Sequence, residues 1–502
     1  MSQPIERAVL DLKQGLATRN RALVNSAARL LIAADARLGE QWQPVANALA
    51  NNGEITLALG ALERFRVQTN AQSTAGYAKV NLLYRAGRLH ESLAELDRLA
   101  AAGRGPANDE QRLSNLNFRA SIALLLDWRE EARTCLMEAL ERDPRSGQAW
   151  LTLSEIADFR GADAGLRERL EAAFELGASI PQEGFRLAHA AARMREQVGD
   201  HAGAFAAYQA GADLFRASSK SGTGSQPDLA AQSTDFPLEL IERVGRRITV
   251  PHDRVIFVSG LPRSGTTLVE QILVSHSDVA HGEELSFFRI LAQDVGGIDA
   301  ASFSRWLDGG GDPNALVELY LHLATERFGP DGRFVDKTVE AGNYMGLLLA
   351  LFPKAPVFWM RRDPLDNGWS AFRTAFAVGA GWSWDLQDIG KRLAQEERMI
   401  AHWSAAAGDR ISFIDYEELV RRPEAVVPRI AGAAGLSFEE AMLRPHETRR
   451  KVTTASVSQV RQPINLKGLG VADPYSPWLR PMIDAYEEAR PAEARSSEAP
   501  AA

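Results

Sequence analysis

Between Arg19 and about Phe215 the apolar positions of this chain recur at helical spacing, in Ala- and Leu-rich stretches broken about every 34 residues by short polar turns. The turns fall at Asn52-Gly53, Ala86-Gly87, Asp127-Trp128, Arg160-Gly161 and Val198-Gly199, at successive spacings of 34, 40, 34 and 38 residues. A period of this length predicts paired helices, each pair stacking on the next to bury an apolar face that it cannot bury alone. Beyond Pro237 the pattern changes. RVIFVSG, ending at Gly260, is a short β-branched apolar run that suits a buried parallel strand feeding a loop. Further runs at Arg333 to Val335, Val357 to Met360 and Ile411 to Ile414 are separated by helical patterns, and a helix is predicted to begin near Ser264 to Thr266. Strand alternating with helix predicts a parallel α/β sheet whose ligands lie at the carboxyl ends of the strands.

Two low-complexity segments divide the chain. SSKSGTGSQPDLAAQSTDFP, Ser218 to Pro237, is rich in Ser, Gly, Gln and Pro and predicts a flexible connection; EEARPAEARSSEAPAA predicts a disordered tail. The expected organisation is a helical repeat domain over residues 1–217, a linker over 218–235, an α/β domain over 236–486 and a tail over 487–502.

Within the repeats, DWREEARTCLMEALERDP resembles a tetratricopeptide repeat. Asp127, Ala132, Leu136, Ala139 and Pro144 stand at its turn, small, large, small and terminating-proline positions. GDHAGAFAAYQAG repeats the pattern with Gly199, Ala204 and Tyr208. Such an array offers a concave surface to a peptide or protein partner, or else serves as scaffold for the second domain.

Composition narrows the classes. With 45% apolar and 24% charged residues the chain reads as ordinary globular protein, and its formal charge of −8 gives no general attraction to nucleic acid or anionic membrane. One cysteine, Cys135, leaves no intramolecular disulfide and no cysteine metal cluster; it is expected in the core, and a reducing cytoplasm is the simplest compartment. The first twenty residues carry charges throughout and lack the apolar stretch of a secretory signal, and no segment reaches the length of a membrane span.

The chemistry is concentrated in VSGLPRSGTTL. Gly260 to Gly265 has phosphate-loop spacing, and Thr266-Thr267 follows where a nucleotide triphosphatase carries Lys and then Ser or Thr. Backbone N–H groups at a helix start, with the hydroxyls of Ser264, Thr266 and Thr267, form an anion cradle. The missing lysine, with no evident Mg²⁺ partner, disfavours a kinase or nucleotidase. The loop instead suits one phosphate bonded to a different transferable group, with Arg263 capping the leaving oxygen.

PRSGTTL, with Glu284 of HGEE lying 16 positions beyond Leu268, resembles the 5′-phosphosulfate loop and catalytic carboxylate of the tyrosylprotein sulfotransferases. Over nearly its whole length the chain is similar to bacterial fusions of tetratricopeptide repeats with a sulfotransferase. The resemblance implies an α + α/β protein in which the repeats precede a P-loop-type parallel α/β domain. It implies 3′-phosphoadenosine 5′-phosphosulfate as co-substrate, an acceptor hydroxyl and no metal in the chemistry. Glu284 corresponds to the general base, and Lys337 of FVDKT to a lysine that stabilises charge on the leaving phosphate and sulfuryl oxygens. Arg362 and Ser370 of MRRDPLDNGWSAF match the 3′-phosphate motif, with Arg361 the competing arginine. Tyr416 of FIDYEELVRRPE and Ser456 of TASVSQVRQPIN match further nucleotide contacts. After VRQP, relatives of this type carry a basic residue and a Trp that close over the nucleotide; here GLGVADPY follows, with Lys467 or Arg461 as candidate substitutes.

Other readings stay open on the sequence. Glu283 is a supporting carboxylate or one of a solvated pair, and His276 and His281, without metal-ligand company, read as structural. The acceptor is a protein or peptide tyrosine, a sugar, a lipid or a small phenol. Arg449-Arg450-Lys451 would attract an acidic peptide or simply face solvent. A scaffold that binds nucleotide without turnover is the reading from another class.

Overall fold

The computed structural model describes residues 3–177, 180–218, 229–339, 341–376, 379–448 and 461–490. The amino-terminal part is a succession of helix pairs, including Trp42–Asn51 with Ile55–Gln68, Gln72–Arg85 with Leu89–Ala101, Asp109–Leu125 with Arg129–Arg142, and Pro181–Val198 with His201–Ser218. Four of the five turns anticipated from the period reverse the chain through a left-handed residue: Gly53, Gly87, Asp127 and Gly199 have φ of +81°, +67°, +61° and +87°. The Arg160-Gly161 turn is built differently. There the Asp158 carboxylate accepts from the Gly161 amide at 3.0 Å, and a 3-10 turn, Ala164–Leu166, leads into the helix Arg167–Gly177. Ala132, Leu136 and Ala139 are fully buried, as is Ala204, so the small positions permit the close helix approach their spacing implied.

The α/β part is built on five parallel strands, β1 (Val255–Ser259), β2 (Val279–Glu283), β3 (Arg333–Asp336), β4 (Val357–Arg361) and β5 (Ser412–Asp415), in the order β2-β3-β1-β4-β5. β1 is central and wholly buried, which accounts for its unbroken apolar run. The order reverses at β1. The chain leaves it for the far edge, returns through β3, then crosses to β4, so the loops after β1 and β4 splay apart and open a crevice.

Leu229–Thr234, inside the anticipated linker, is a short helix, and residues 487–489 of the anticipated tail complete the helix Arg480–Ala489. One apolar core joins Phe185, Ala204 and Tyr208 of the last helix pair to Trp369, Trp384 and Tyr475 of the α/β part. Phe215 stacks on Trp384 with ring centroids 3.9 Å apart, and Arg373 pairs with Glu196 at 2.7 Å.

Candidate functional site

Five of the residues singled out in the sequence line up along the carboxyl edge of the sheet, each just beyond a strand. In sheet order they are Glu284 after β2, Lys337 after β3, the loop bearing Arg263 after β1, Arg362 after β4 and Tyr416 after β5. Neighbouring parallel strands lie about 4.8 Å apart, so the topology alone makes one site from positions scattered over the chain.

The β1 loop is shaped by backbone that L-residues rarely adopt: Gly260, Arg263 and Gly265 have φ of +145°, +70° and +105°. A Cβ on Gly265 would stand 2.6 Å from the Tyr416 ring. The Asn367 amide donates to the Pro262 carbonyl at 2.8 Å, and the Arg362 guanidinium to the Arg263 carbonyl at 2.6 Å. These bonds tie two loop carbonyls to the segment after β4, ahead of the helix Thr266–Val274, whose amino-terminal end favours an anion.

A cleft of about 350 Å³ opens beside this loop, lined by Arg263, Gly265, Thr267, Arg362, Ser370 and Tyr416 among others. Ser264 and Thr266 are buried just behind it. Arg263 donates to the Ser370 hydroxyl at 3.1 Å, and Arg362 lies over the Tyr416 ring at 4.8 Å. Burial, and then the charges of Arg373, Arg362 and Arg193, push the Arg263 guanidinium down to about 9, a cationic crowding that a bound anion relieves. Arg362 is lowered as well, chiefly by burial. The Ser264 hydroxyl and the Arg362 Nε are buried with no hydrogen-bond partner among the described residues. A phosphate-bearing ligand fits this donor set.

Arg361, the competing arginine, is committed elsewhere: both its bonds to Asp415 measure 2.9 Å. The GLGVADPY segment docks onto the site through its backbone. Asp366 accepts from the amides of Gly470 and Ala472 at 2.7 and 2.9 Å, and the Gly468 carbonyl accepts from Arg362. Of the two candidate substitute cations, Lys467 lines the cleft, whereas Arg461 donates to the Thr448 carbonyl at 2.7 Å. Ser456 and Arg449-Arg450-Lys451 lie outside the described residues.

On the other side of the loop, Lys337 is almost completely buried and its ammonium lies 3.2 Å from the Glu284 carboxylate, which is 37% exposed. Glu283 points the other way, buried and paired with Arg327. The two adjacent glutamates therefore differ in kind, one buried in an ion pair and one partly exposed beside Lys337. The turn carrying Glu284 is held by groups the sequence did not single out. Ser286 has φ of +55°, its amide donates to the Thr338 hydroxyl at 3.1 Å, and that hydroxyl donates to Asp336 at 2.6 Å. Tyr320 donates to the second oxygen of Asp336, whose carboxyl burial raises to about 6. Arg373 was also missed; it lines the cleft three residues beyond Ser370 on the same helical segment.

His276 accepts from the Asp278 amide at 3.0 Å and His281 stacks on Phe328, both structural contacts. Among the described residues no three His, Cys, Asp or Glu side chains are grouped to hold a metal, and no helix is long and apolar enough to cross a membrane.

Residues 255–440 match the profile of a sulfotransferase family. An uncharacterized protein of Aquifex aeolicus is 33% identical over 274 residues, covering 50% of this chain and 35% of that protein. A putative protein-tyrosine sulfotransferase of Caenorhabditis briggsae is 28% identical over 228 residues, covering 43% of this chain and 80% of its own length. The sulfotransferase domain of the Synechococcus PCC 7002 olefin synthase aligns with 19% identity and a TM-score of 0.30, covering 46% of this chain and 97% of that domain. The chain thus spans about a third of the length of the Aquifex relative.

Proposed function

This chain carries a sulfotransferase-family domain over residues 255–440, and on that premise we propose that it moves a sulfuryl group from 3′-phosphoadenosine 5′-phosphosulfate to an acceptor hydroxyl, most simply that of a protein or peptide tyrosine. The observation that carries this reading is the placement of a carboxylate, Glu284, and a lysine, Lys337, at the strand ends next to a phosphate loop whose own cation is Arg263.

Arg362 and Ser370 hold the 3′-phosphate, Tyr416 borders the nucleotide, and the amides after Gly265 hold the 5′-phosphate. The acceptor oxygen forms a new S–O bond as the bond from sulfur to the bridging phosphate oxygen breaks. Glu284 takes the proton of the acceptor hydroxyl, and the electron pair of the broken bond stays on the phosphate. Lys337 turns from Glu284 toward that oxygen and, with Arg263, neutralises it. Charge held in advance at such a point is worth about 10²–10³ in rate per donor. The protein-tyrosine acceptor is supported by the named activity of the Caenorhabditis relative and by a helix array able to receive a polypeptide.

The test is calorimetry and labelled-sulfate transfer on the full chain. The product nucleotide, 3′-phosphoadenosine 5′-phosphate, binds more tightly than ATP with Mg²⁺, and Arg362→Ala removes most of that preference. Glu284→Gln lowers transfer by about 10²–10⁴-fold while nucleotide affinity stays within about twofold. Preference for ATP would overturn the reading; nucleotide binding without transfer to any phenol or tyrosine peptide would favour a non-catalytic scaffold.

A further inference from the structure

The cleft beside the phosphate loop is not built by the α/β part alone. Arg129 and Glu155, both of the helix array, line it together with Arg362, Ser370 and Arg373. They arrive from two turns of the array: Arg129 opens the helix Arg129–Arg142 just after the left-handed residue Asp127, and Glu155 follows the helix Gly147–Leu153. That wall is fixed in place. Arg193 donates to the Leu151 carbonyl and the Ser154 hydroxyl and pairs with Glu155, each at 3.3 Å, so it pins the turn that carries Glu155. Arg373, which follows Ser370 on one helical segment, pairs with Glu196 of the array at 2.7 Å. The Ser370 end of the cleft therefore abuts the array.

Of the groups on this wall, Arg129 has donors to spare. It is half exposed, its Nε bonds the Asp127 carboxylate at 3.1 Å, and its two terminal nitrogens make no hydrogen bond among the described residues. Glu155 is instead answered by Arg193, whose charge already bears on the Arg263 guanidinium. A guanidinium with free terminal nitrogens, facing an arginine and a serine across a cleft of about 350 Å³, supplies a further side to a phosphate clamp.

We propose that Arg129 completes the 3′-phosphate site from the helix array, with Glu155 and Arg193 setting the charge balance of that wall, so that the array takes a direct part in reading the nucleotide. The inference rests on the nucleotide of the sulfuryl-transfer reading, which puts a 3′-phosphate at Arg362 and Ser370. A nucleotide held in this way bridges the two parts of the fold, because one phosphate is gripped from both.

The full chain is titrated calorimetrically with 3′-phosphoadenosine 5′-phosphate and with adenosine 5′-diphosphate, which carries its second phosphate at the other end of the ribose. Arg129→Glu weakens the 3′-phosphorylated nucleotide about tenfold and changes the diphosphate by no more than about twofold. Glu155→Gln, which frees Arg193 from its carboxylate, moves the ratio of the two affinities the opposite way by about twofold. Opposite signs from two residues of one wall report charge at a phosphate rather than damaged packing, and the steady diphosphate affinity shows that the variants are folded. Arg145→Glu, in the turn before Gly147–Leu153 and outside the cleft lining, leaves both affinities unchanged. A ratio unmoved by Arg129→Glu, or moved as far by Arg145→Glu, overturns the proposal and leaves the sulfuryl-transfer reading standing. A parent chain with no preference for the 3′-phosphorylated nucleotide overturns both. A preference that depends on Arg129, without sulfuryl transfer to any acceptor, supports the part played by the array and counts only against the transfer reading.

Discussion

At the scale of single residues, the strand ends gather more carboxylates than the proposed reaction uses. Glu270, on the helix after the phosphate loop, is 1% exposed, and burial raises its carboxyl to about 7, with Glu283, Glu284 and Asp336 adding to the rise and Lys337 opposing it. The unfolded chain releases this proton near the ordinary carboxyl value of 4.5 and the folded chain only at about 7, so folding loses stability as pH rises between those values and keeps a constant deficit above them. At roughly 1.4 kcal/mol per pKa unit that deficit reaches about 3 kcal/mol. Glu270→Gln removes the ionisation and nearly preserves the shape. Its melting temperature should exceed the parent's at pH 8, with the gap closing toward pH 5. A gap independent of pH would mean that Glu270 does not titrate in this range.

At the scale of elements, the phosphate loop and its helix make the sharpest demand on sequence. Gly265 combines φ of +105° with a Tyr416 ring atom 2.6 Å from any added Cβ. Gly265→Ala must therefore distort the loop or displace Tyr416, and nucleotide affinity should fall at least tenfold by calorimetry while the chain remains folded. Gly432 is the contrast. It lies within the helix Pro423–Ala433, and an added Cβ meets nothing within 4 Å. Gly432→Ala should stabilise by about 0.5–1 kcal/mol in denaturant unfolding and leave binding unchanged. The difference between these glycines also explains what could be read from the chain. β1, β3, β4 and β5 announce themselves as apolar runs and Arg263 as a cation between glycines. β2 does not: VAHGE has no apolar run, and it is a strand because Val279 to Glu283 pair with Arg333 to Asp336. Likewise the docking of GLGVADPY could not be read from the chain, because it runs through the backbone amides of Gly470 and Ala472, which leave no trace in residue type. Arg373 and Thr338 went unread because each acts through a partner distant in sequence: Glu196 of the array lies 177 positions from Arg373, and Ser286, whose amide donates to Thr338, lies 52 positions away.

At the scale of the whole molecule, the low-complexity segment at Ser218 to Pro237 suggested two independent halves, whereas the packing makes the last helix pair part of the α/β core. Tyr208 and Trp369 meet edge to face at 5.6 Å, Phe205 stacks on Trp478 at 5.4 Å, and His189, fully buried against Trp384, is pushed down to about 4 by desolvation. A chain beginning at Phe236 would expose Trp369, Trp384 and Tyr475, and removing one such aromatic from a core typically costs about 3–5 kcal/mol. Cutting the molecule there would damage the proposed nucleotide site as well as remove the array, which is why the tests above use substitutions in the full chain. The same packing couples the parts thermodynamically. A ligand that binds only the folded state stabilises whatever unfolds with its site. Saturating 3′-phosphoadenosine 5′-phosphate should therefore slow hydrogen exchange in His201–Ser218, although none of that helix lines the nucleotide cleft, as well as in the phosphate loop. Trp384→Ala, which removes the indole stacked on Phe215, should uncouple the two, leaving protection at the loop but not in the helix. Exchange in His201–Ser218 that ignores the nucleotide in the parent chain would show that the halves unfold separately despite their common core.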